Sequence, residues 1–292
     1  MFIVTPHDDP TKFRFHHNRR QATSTSSLLA EFKRLSLNTL KTRAQVIVDV
    51  ISNKKGVSLF TFNVQSLKNH YADLDDAVFL KSNILLLTET WLANGQQCNI
   101  PHFNCIVQFK RDTVRAGGVA IYQNMSDITK IVTPNMEMIS KNIQDFSVRH
   151  TIVADLCAAQ SVMENGITVV MAVIYVSPNQ KIVDIQEFIH RVLLEYTEEG
   201  SRLLRRYSKN LYEIPLILAG DFNINFSDKK SKPLIQFLLE EFDLKINNDP
   251  TMSTTRFNTT IDAVFSRYLD KIESQMFVSY FSYHKPIVTM IE

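Results

Sequence analysis

The chain has 292 residues, of which 45% are hydrophobic and 21% are charged, and this composition is typical of one large globular domain or two smaller ones. It contains no run of about 18 apolar residues, so we expect no membrane span, and its first residues lack the basic and apolar regions of a secretory signal. The net charge of +2 is unevenly distributed, because residues 1–55 carry ten Lys or Arg against four Asp or Glu. Such a basic arm is typical of a polyanion-binding extension, although a solvated terminus has the same composition.

The cysteine pattern favours a reducing compartment. Cys98, Cys105 and Cys157 are odd in number and show no CxxC spacing. Because a disulfide framework normally uses paired cysteines, we interpret all three as reduced thiols. The sequence therefore predicts an intracellular protein.

Three parts follow one another along the chain. Residues 1–25 are polar and basic and predict a flexible N-terminal arm. Residues 26–56 predict a helical extension, since apolar residues recur there at helical spacing. Residues 57–292 form the main domain, where short apolar runs replace that spacing. The strands predicted in it are 57–62, 84–87, 119–122, 146–155, 168–175, 216–219, 261–265, 276–281 and 287–291, and the predicted helices are 69–81, 182–207 and 233–242.

Strands outnumber helices in this succession, and several follow each other as hairpins would. This order favours an α/β (α+β) fold in which two sheets pack face to face with helices outside, rather than one doubly wound parallel sheet. We find neither an internal repeat nor a glycine-rich nucleotide loop.

Polar side chains at the strand ends carry the chemical information. The buried run 216–219 is followed by Gly220, Asp221 and Asn223. An ionised carboxylate at the end of a buried strand is costly unless a cation or hydrogen-bond donors meet it. A plain turn uses the same residue types, so this stretch alone leaves both interpretations open. Other strands also end or begin in polar groups, namely Asn63, Glu89, Tyr175, Asp262 and His284, and the combined set suits phosphoester hydrolysis assisted by a hard cation.

Seven short motifs then resemble the endonuclease/exonuclease/phosphatase superfamily, in the order in which that family carries them. The resemblance covers residues 57–292 and is most similar to endonucleases of mobile elements, of the non-LTR retrotransposon or Helitron type, with the Helitron type favoured. It implies a four-layered sandwich of two mixed sheets, a deoxyribonuclease-like fold. The motifs are FNVQSL at 62–67, TETWL at 88–92, AGGVAIY at 116–122, YVSPN at 175–179, GDFNI at 220–224, IDAVF at 261–265 and YHKP at 283–286.

The resemblance also implies a role for each matching residue. Glu89 is the ligand of Mg²⁺ or Mn²⁺, helped by Asn63, and Mg²⁺ needs only one or two carboxylates because it keeps several waters. Asp221 holds or deprotonates the attacking water, and Asn223 fixes the geometry. The remaining catalytic residues are Tyr175, which reaches the phosphate, and Asp262, which orients His284 so that the imidazole donates to a phosphate oxygen.

DNA is the implied substrate, and the enzyme is expected to be a nuclear, monomeric endonuclease that nicks it. Basic residues before the AGGVAIY motif could meet backbone phosphates, although such runs are also common on solvated faces. The candidate substrate-binding residues are Lys110, Arg111, Arg115, Gln65 and Asn258.

One departure from the family pattern bears on activity. The family carries Asp immediately before the histidine, and this chain has Tyr283 there. The loss of that carboxylate should weaken cation binding, so a catalytically impaired DNA-binding remnant is one alternative. A phosphatase acting on a lipid or soluble phosphoester is another, and it ranks lower because Ile224 stands where inositol-phosphate members carry Arg.

Overall fold

The computed structural model describes residues 56–75, 77–93, 96–111, 116–125, 137–138, 152–163, 166–203, 211–279 and 281–292. The basic arm, nearly all of the helical extension and Arg115 lie outside these ranges, so the predictions for them stay predictions. Among the described residues, no helix combines the length and the apolar character needed to cross a bilayer. The three cysteines form no disulfide.

Strands dominate the described residues, and the helices are short. The strands are β1 Val57–Asn63, β2 Ile84–Thr88, β3 Phe103–Phe109, β4 Val119–Asn124, β5 Glu137–Met138, β6 Ala154–Val162, β7 Thr168–Val176, β8 Leu216–Asp221, β9 Lys245–Ile246, β10 Asp262–Arg267, β11 Ile272–Met276 and β12 Ile287–Ile291. The α-helices are Leu67–His70, Ala77–Leu80, Ile182–Val192, Glu198–Leu203 and Lys232–Phe242.

These strands form two mixed sheets of six strands each. The first sheet has the order β11-β12-β1-β2-β4-β3 and the second has the order β5-β6-β7-β8-β10-β9. One neighbouring pair in each sheet is parallel, β1 with β2 and β7 with β8. The other neighbouring pairs are antiparallel.

The sheets pack face to face, and helices cover their outer faces. Successive residues of a strand point to opposite sides, so Leu59 lies between the sheets while Phe60 packs under the short helices outside. Ile217 likewise lies between the sheets, and Leu218 packs on the outer side against the helices Ile182–Val192 and Lys232–Phe242. The central strands are buried on both faces, which explains why they are nearly continuous apolar runs, whereas the edge strands β3 and β11 keep exposed positions. The four-layered sandwich predicted from the sequence is confirmed.

Four predicted elements differ from the structure or lie partly outside its described residues. The strand expected over 146–155 is described only from residue 152, and the strand β6 begins near its end and covers Ala154–Val162. The helix expected over 69–81 is two single turns separated by a 3-10 turn, Asp73–Asp75. The helix expected over 182–207 ends at Val192 and is followed by a separate helix, Glu198–Leu203. The strand expected over 276–281 is wrong, because β11 ends at Met276 and the following apolar residues serve packing. Phe281, for example, lies 5.3 Å from Phe62 and 4.8 Å from His70 between ring centroids.

Gly220 also has a different role from the expected turn. It lies inside β8, with φ 142°, and β8 continues to Asp221. A Cβ at this position would overlap the carbonyl oxygen of Ile174 on the neighbouring strand β7. Glycine is therefore needed for the close approach of β7 and β8, which brings their polar ends to the same rim.

Candidate active site

Strand ends from both sheets meet at one rim of the sandwich. In the first sheet Asn63 of β1 lies beside Thr88 of β2, so Glu89 follows directly next to it. In the second sheet Asp221 and Asp262 are register partners on β8 and β10. A hydrogen bond of 2.9 Å from Asn63 Nδ2 to Asp221 Oδ2 joins the two sheets at this point. The pairing thus brings together residues that are 158 positions apart in the chain.

Asn63 bridges two carboxylates through a single amide nitrogen. Its Nδ2 donates to Glu89 Oε1 at 3.0 Å and to Asp221 Oδ2 at 2.9 Å, and its Oδ1 accepts from the Gln65 backbone N–H at 3.2 Å. An amide nitrogen that donates two hydrogen bonds is not a metal ligand. The metal-ligating role expected of Asn63 would therefore require the amide to turn over.

His284 lies between two carboxylates and is 1% exposed. Its Nδ1 is 2.8 Å from Asp262 Oδ2, and its Nε2 is 3.8 Å from Asp221 Oδ2. Nε2 is buried and has no hydrogen-bond partner among the described residues. Because Asp262 fixes the ring through Nδ1, the free Nε2 is presented to the interior of the site.

The two central groups have shifted pKa values. Burial, followed by the charge of Asp262, raises the pKa of Asp221 to about 8, although His284 acts in the opposite direction. Burial alone would lower the pKa of His284, but Asp262, Asp221 and Glu89 together raise it to about 9. At neutral pH the imidazole is therefore protonated, and the site holds a positive charge next to Asp221.

Three side chains surround a candidate cation site. Potential ligand atoms of Glu89, Asp221 and His284 lie within 4.8 Å of one another, but a protonated imidazole has no lone pair to offer, so the two carboxylates are the candidate ligands and His284 borders the site. Two oxygen ligands of this kind suit Mg²⁺, which keeps waters in its other positions. The charge set fits a cation, since a divalent ion would relieve the desolvation and repulsion that raise the pKa of Asp221.

The backbone is strained where it presents these ligands. Glu89 and Asn223 have φ of 50° and 49°, in the left-handed region that is uncommon for Glu and well tolerated by Asn. The Asn223 backbone N–H donates to Asp221 Oδ1 at 2.9 Å, and its Nδ2 donates to the Val176 carbonyl at 2.8 Å. Asn223 therefore fixes the Asp221 carboxylate relative to the end of β7, and strain of this kind is concentrated at functional sites.

Tyr175 reaches the same region from β7. It is 5% exposed, and its pKa is raised by burial and then by the negative charges of Glu89 and Asp221. The phenol is consequently neutral at all physiological pH values and keeps its proton for donation. The register partner of Tyr175 on β6 is Asp155.

The candidate substrate-binding residues lie in different environments. Arg111 is 3% exposed and its Nε is 2.6 Å from Asp155 Oδ1, which differs from the surface phosphate contact expected of it. Lys110 is also buried, at 8% exposed. Gln65 lies at the rim and accepts from Ser282 Oγ at 3.2 Å, while Asn258 is exposed on the turn before β10.

Sequence reasoning missed two residues of the site and one buried carboxylate outside it. Trp91 Nε1 donates to Glu89 Oε2 at 3.3 Å. Ser282 Oγ donates to the Asn63 carbonyl at 2.9 Å and accepts from the His284 N–H at 3.1 Å. Asp155 is fully buried. Trp91 lies inside a quoted motif and Ser282 directly precedes another, so the motifs could have indicated both. Nothing local distinguishes Asp155.

Comparison with known proteins adds to this geometry. No family model and no curated protein matches the sequence. Among solved structures, the human Nocturnin catalytic domain with bound sulfate anion matches at 14% identity and a TM-score of 0.53, covering 81% of this chain and 94% of that one. ANGEL2, a 2',3'-cyclic phosphatase, matches at 13% identity and a TM-score of 0.51, and the match covers 81% of this chain and 95% of that one. Both likenesses are of fold, namely the α/β sandwich of two mixed sheets.

A third neighbour is an endonuclease/exonuclease/phosphatase family protein from Bacteroides thetaiotaomicron, with 14% identity, coverage of 80% of this chain and 94% of that chain, and a TM-score of 0.49. At such identities the comparisons show the sandwich fold. The chemistry of this chain therefore has to be argued from its own residues.

Proposed function

We propose that the chain is a divalent-metal-dependent phosphodiesterase that nicks DNA as an endonuclease. The observation that carries the proposal is the convergence of Glu89, Asp221 and His284, whose ligand atoms lie within 4.8 Å of one another although the residues come from both sheets. Two carboxylates and a protonated imidazole in one small buried site suit a cation and a phosphate together.

Glu89 and Asp221 would hold the cation. Bound Mg²⁺ or Mn²⁺ supplies neutralisation of the negative charge that develops on the phosphate oxygens. Asp221 is also the candidate general base for the attacking water, because a bound cation would lower its raised pKa and leave its carboxylate ionised and able to accept a proton. Its orientation toward the attacking water depends on Asn223, whose backbone N–H holds Oδ1 at 2.9 Å.

His284 is the candidate donor to the phosphate. It is protonated at neutral pH, its Nδ1 is held by Asp262 at 2.8 Å, and its Nε2 has no partner among the described residues. A preoriented donor of this kind is most valuable as charge builds up on a nonbridging oxygen in the transition state. Tyr175 adds a neutral hydroxyl beside the same carboxylates.

DNA as the substrate, a nuclear location and an origin in a mobile element of the Helitron type belong to this proposal. What supports them is the set of motifs, above all TETWL, AGGVAIY and YVSPN. The basic composition of residues 1–55 suits a polyanion.

The test is relaxation of supercoiled plasmid DNA in the presence of Mg²⁺ or Mn²⁺. We expect wild-type protein to nick the plasmid and Glu89→Gln, Asp221→Asn and His284→Ala to lose this activity. Glu187→Gln is the matched control, because it removes an exposed carboxylate that pairs with Arg191 at 2.9 Å on an outer helix. Wild-type protein that never nicks plasmid with either metal would contradict the proposal. Release of inorganic phosphate from monoesters with intact plasmid would indicate a phosphatase, and a calorimetric titration without heat would indicate an impaired remnant.

A further inference from the structure

Phe257 is a large apolar side chain held in solvent beside the candidate active site. It is 72% exposed, the highest value among the exposed large hydrophobic residues of the described part of the chain. Its ring centroid is 5.4 Å from that of Tyr283, and the Tyr283 ring is 4.2 Å from the His284 imidazole. Three rings thus lead in series from solvent to the buried imidazole.

The segment that carries Phe257 is fixed to the histidine segment. Thr255 and His284 form an antiparallel bridge, the Arg256 N–H donates to the Tyr283 carbonyl at 3.0 Å, and the Lys285 N–H donates to the Thr254 carbonyl at 2.7 Å. The Phe257 N–H is held by Thr255 Oγ1 at 3.1 Å. The exposed ring is therefore pre-positioned relative to the active site, which reduces the entropy lost when a ligand contacts it.

Two neighbouring features favour a nucleotide as that ligand. Arg256 is exposed next to Phe257, and its Nη2 donates to the Ser282 carbonyl at 3.0 Å, so a positive charge lies on the same turn. Tyr283 is only half-buried, which leaves part of a second ring accessible beside the first. The rings of Phe257 and Tyr283 offer a flat apolar surface for a base. Arg256 offers a positive charge for the backbone, and the site at His284 can receive the scissile phosphate of the same strand.

We propose that Phe257 and Tyr283 form a stacking platform for an unpaired base adjacent to the phosphate that His284 contacts. The proposal rests on the proposed function, and it specifies DNA with a locally unstacked nucleotide as the preferred substrate. Aromatic side chains bind every base through its π-face, so the platform selects an unpaired state without selecting a sequence.

Fluorescence anisotropy with two labelled oligonucleotides tests the platform. One is a single strand of ten thymidines, and the other has the same backbone with abasic analogues in place of its central nucleotides. EDTA is present so that no strand is cut. We expect wild-type protein to bind the strand with bases about tenfold more tightly. Phe257→Ala should bring the ratio close to one, and Phe257→Trp should keep it.

Tyr268→Ala is the matched control, since Tyr268 is an exposed aromatic residue, at 48%, that follows the opposite end of β10. It should leave the preference for bases unchanged. Equal binding of both strands by wild-type protein, no binding of the thymidine strand, or an unchanged ratio in Phe257→Ala would each overturn the platform. Failure of the proposed function is distinguishable, because it appears as wild-type protein that never nicks plasmid, whatever the ratio.

Discussion

Two buried clusters of charge lie at strand ends in this sandwich, and they differ in how completely they are paired. In the first, Asp155 accepts from Arg111 Nε at 2.6 Å, from the Arg111 backbone N–H at 3.0 Å and from the Gly118 N–H at 2.7 Å. In the second, Asp221, Asp262 and His284 bring two carboxylates to one imidazole, whose Nε2 has no partner among the described residues.

The difference separates a structural cluster from a functional one. The carboxylate of Asp155 has its charge balanced by Arg111, and both side chains are at most 1% exposed, so the charges of the pair are compensated without a ligand, although Arg111 Nη1 is buried without a hydrogen-bond partner among the described residues. The pKa of Asp221, by contrast, is raised to about 8 by burial and by the neighbouring negative charge of Asp262. A buried carboxylate whose ionised form is disfavoured in this way lowers the stability of the folded protein. Groups of this kind are typical of binding and catalytic sites.

The largest effect is expected on activity, at the cluster formed by Asp221, Asp262 and His284, which we call the incomplete cluster. Glu89→Gln keeps an acceptor for Asn63 and removes the negative charge offered to the cation. We expect the nicking rate to fall by about a thousandfold, equivalent to about 4 kcal/mol of transition-state stabilisation. Rates of plasmid nicking measure the loss, and an unchanged circular dichroism spectrum shows that the fold is intact. A variant that keeps a tenth of the wild-type rate would place the cation elsewhere.

The next effect is on stability at the complete cluster. Asp155→Asn leaves the Arg111 guanidinium buried without its counter-charge, and we expect the free energy of unfolding to fall by about 3 kcal/mol. Urea denaturation measures it. The control is Glu198→Gln, which breaks an exposed pair with Arg202 and should cost about 0.5 kcal/mol or less. If both substitutions lowered the free energy of unfolding by the same small amount, the buried pair of Asp155 and Arg111 would not stabilise the fold as we describe.

A third effect should appear in the pH dependence of stability. The pKa of Asp221 is raised from 3.8 to about 8, so the folded state binds more protons than the unfolded state between these values, and stability falls as pH rises through that window. The raised pKa of His284, from 6.5 to about 9, adds stability that is full below 6.5 and lost as pH rises through about 9.

Asp221→Asn removes the first of these two contributions. In EDTA, its melting temperature should exceed that of wild-type protein by an amount that grows as the pH rises toward 8 and then levels off. Added Mg²⁺ should stabilise wild-type protein and leave the variant unaffected, because only an ionised carboxylate at position 221 attracts the ion. A wild-type protein that loses no stability between pH 5 and pH 8 would show that Asp221 is ionised throughout.

The smallest effect is expected at Tyr283. Tyr283→Asp would add a third carboxylate beside Glu89 and Asp221, whose charges already contribute to raising the pKa of Tyr283 to about 12. We expect Mn²⁺ to bind about tenfold more tightly, since the charge of the ligand set governs affinity. Calorimetric titration measures the change, with Tyr283→Phe as a control that should bind the ion as wild-type protein does. Unchanged affinity in the Asp variant would mean that position 283 is too distant to contribute.

Much of the incomplete cluster was predictable from the sequence, and the complete one was not. Each group of the candidate site follows or precedes a continuous apolar run, so the strand ends could be located without coordinates, and β12 has its predicted bounds. Asp155 and Arg111 are 44 positions apart, and their pairing depends on the packing of one sheet on the other, which local patterns do not encode.

The missed strands have an equally physical reason. β3 lies at the edge of its sheet with several half-exposed positions, so its polar residues Asn104 and Gln108 obscure the apolar run that marks a central strand. In β11, exposed Glu and Gln alternate with partly buried residues, so the strand lacks an apolar run. The strand was therefore predicted over 276–281, where apolar residues follow β11.

An anomalous difference map from a crystal soaked in Mn²⁺ tests the central claim most directly. We predict a single strong peak at the rim where the two sheets meet, within bonding distance of the carboxylates of Glu89 and Asp221, and its loss in Glu89→Gln. A map without a peak at these carboxylates, or with ions bound only at surface acids, would contradict the account.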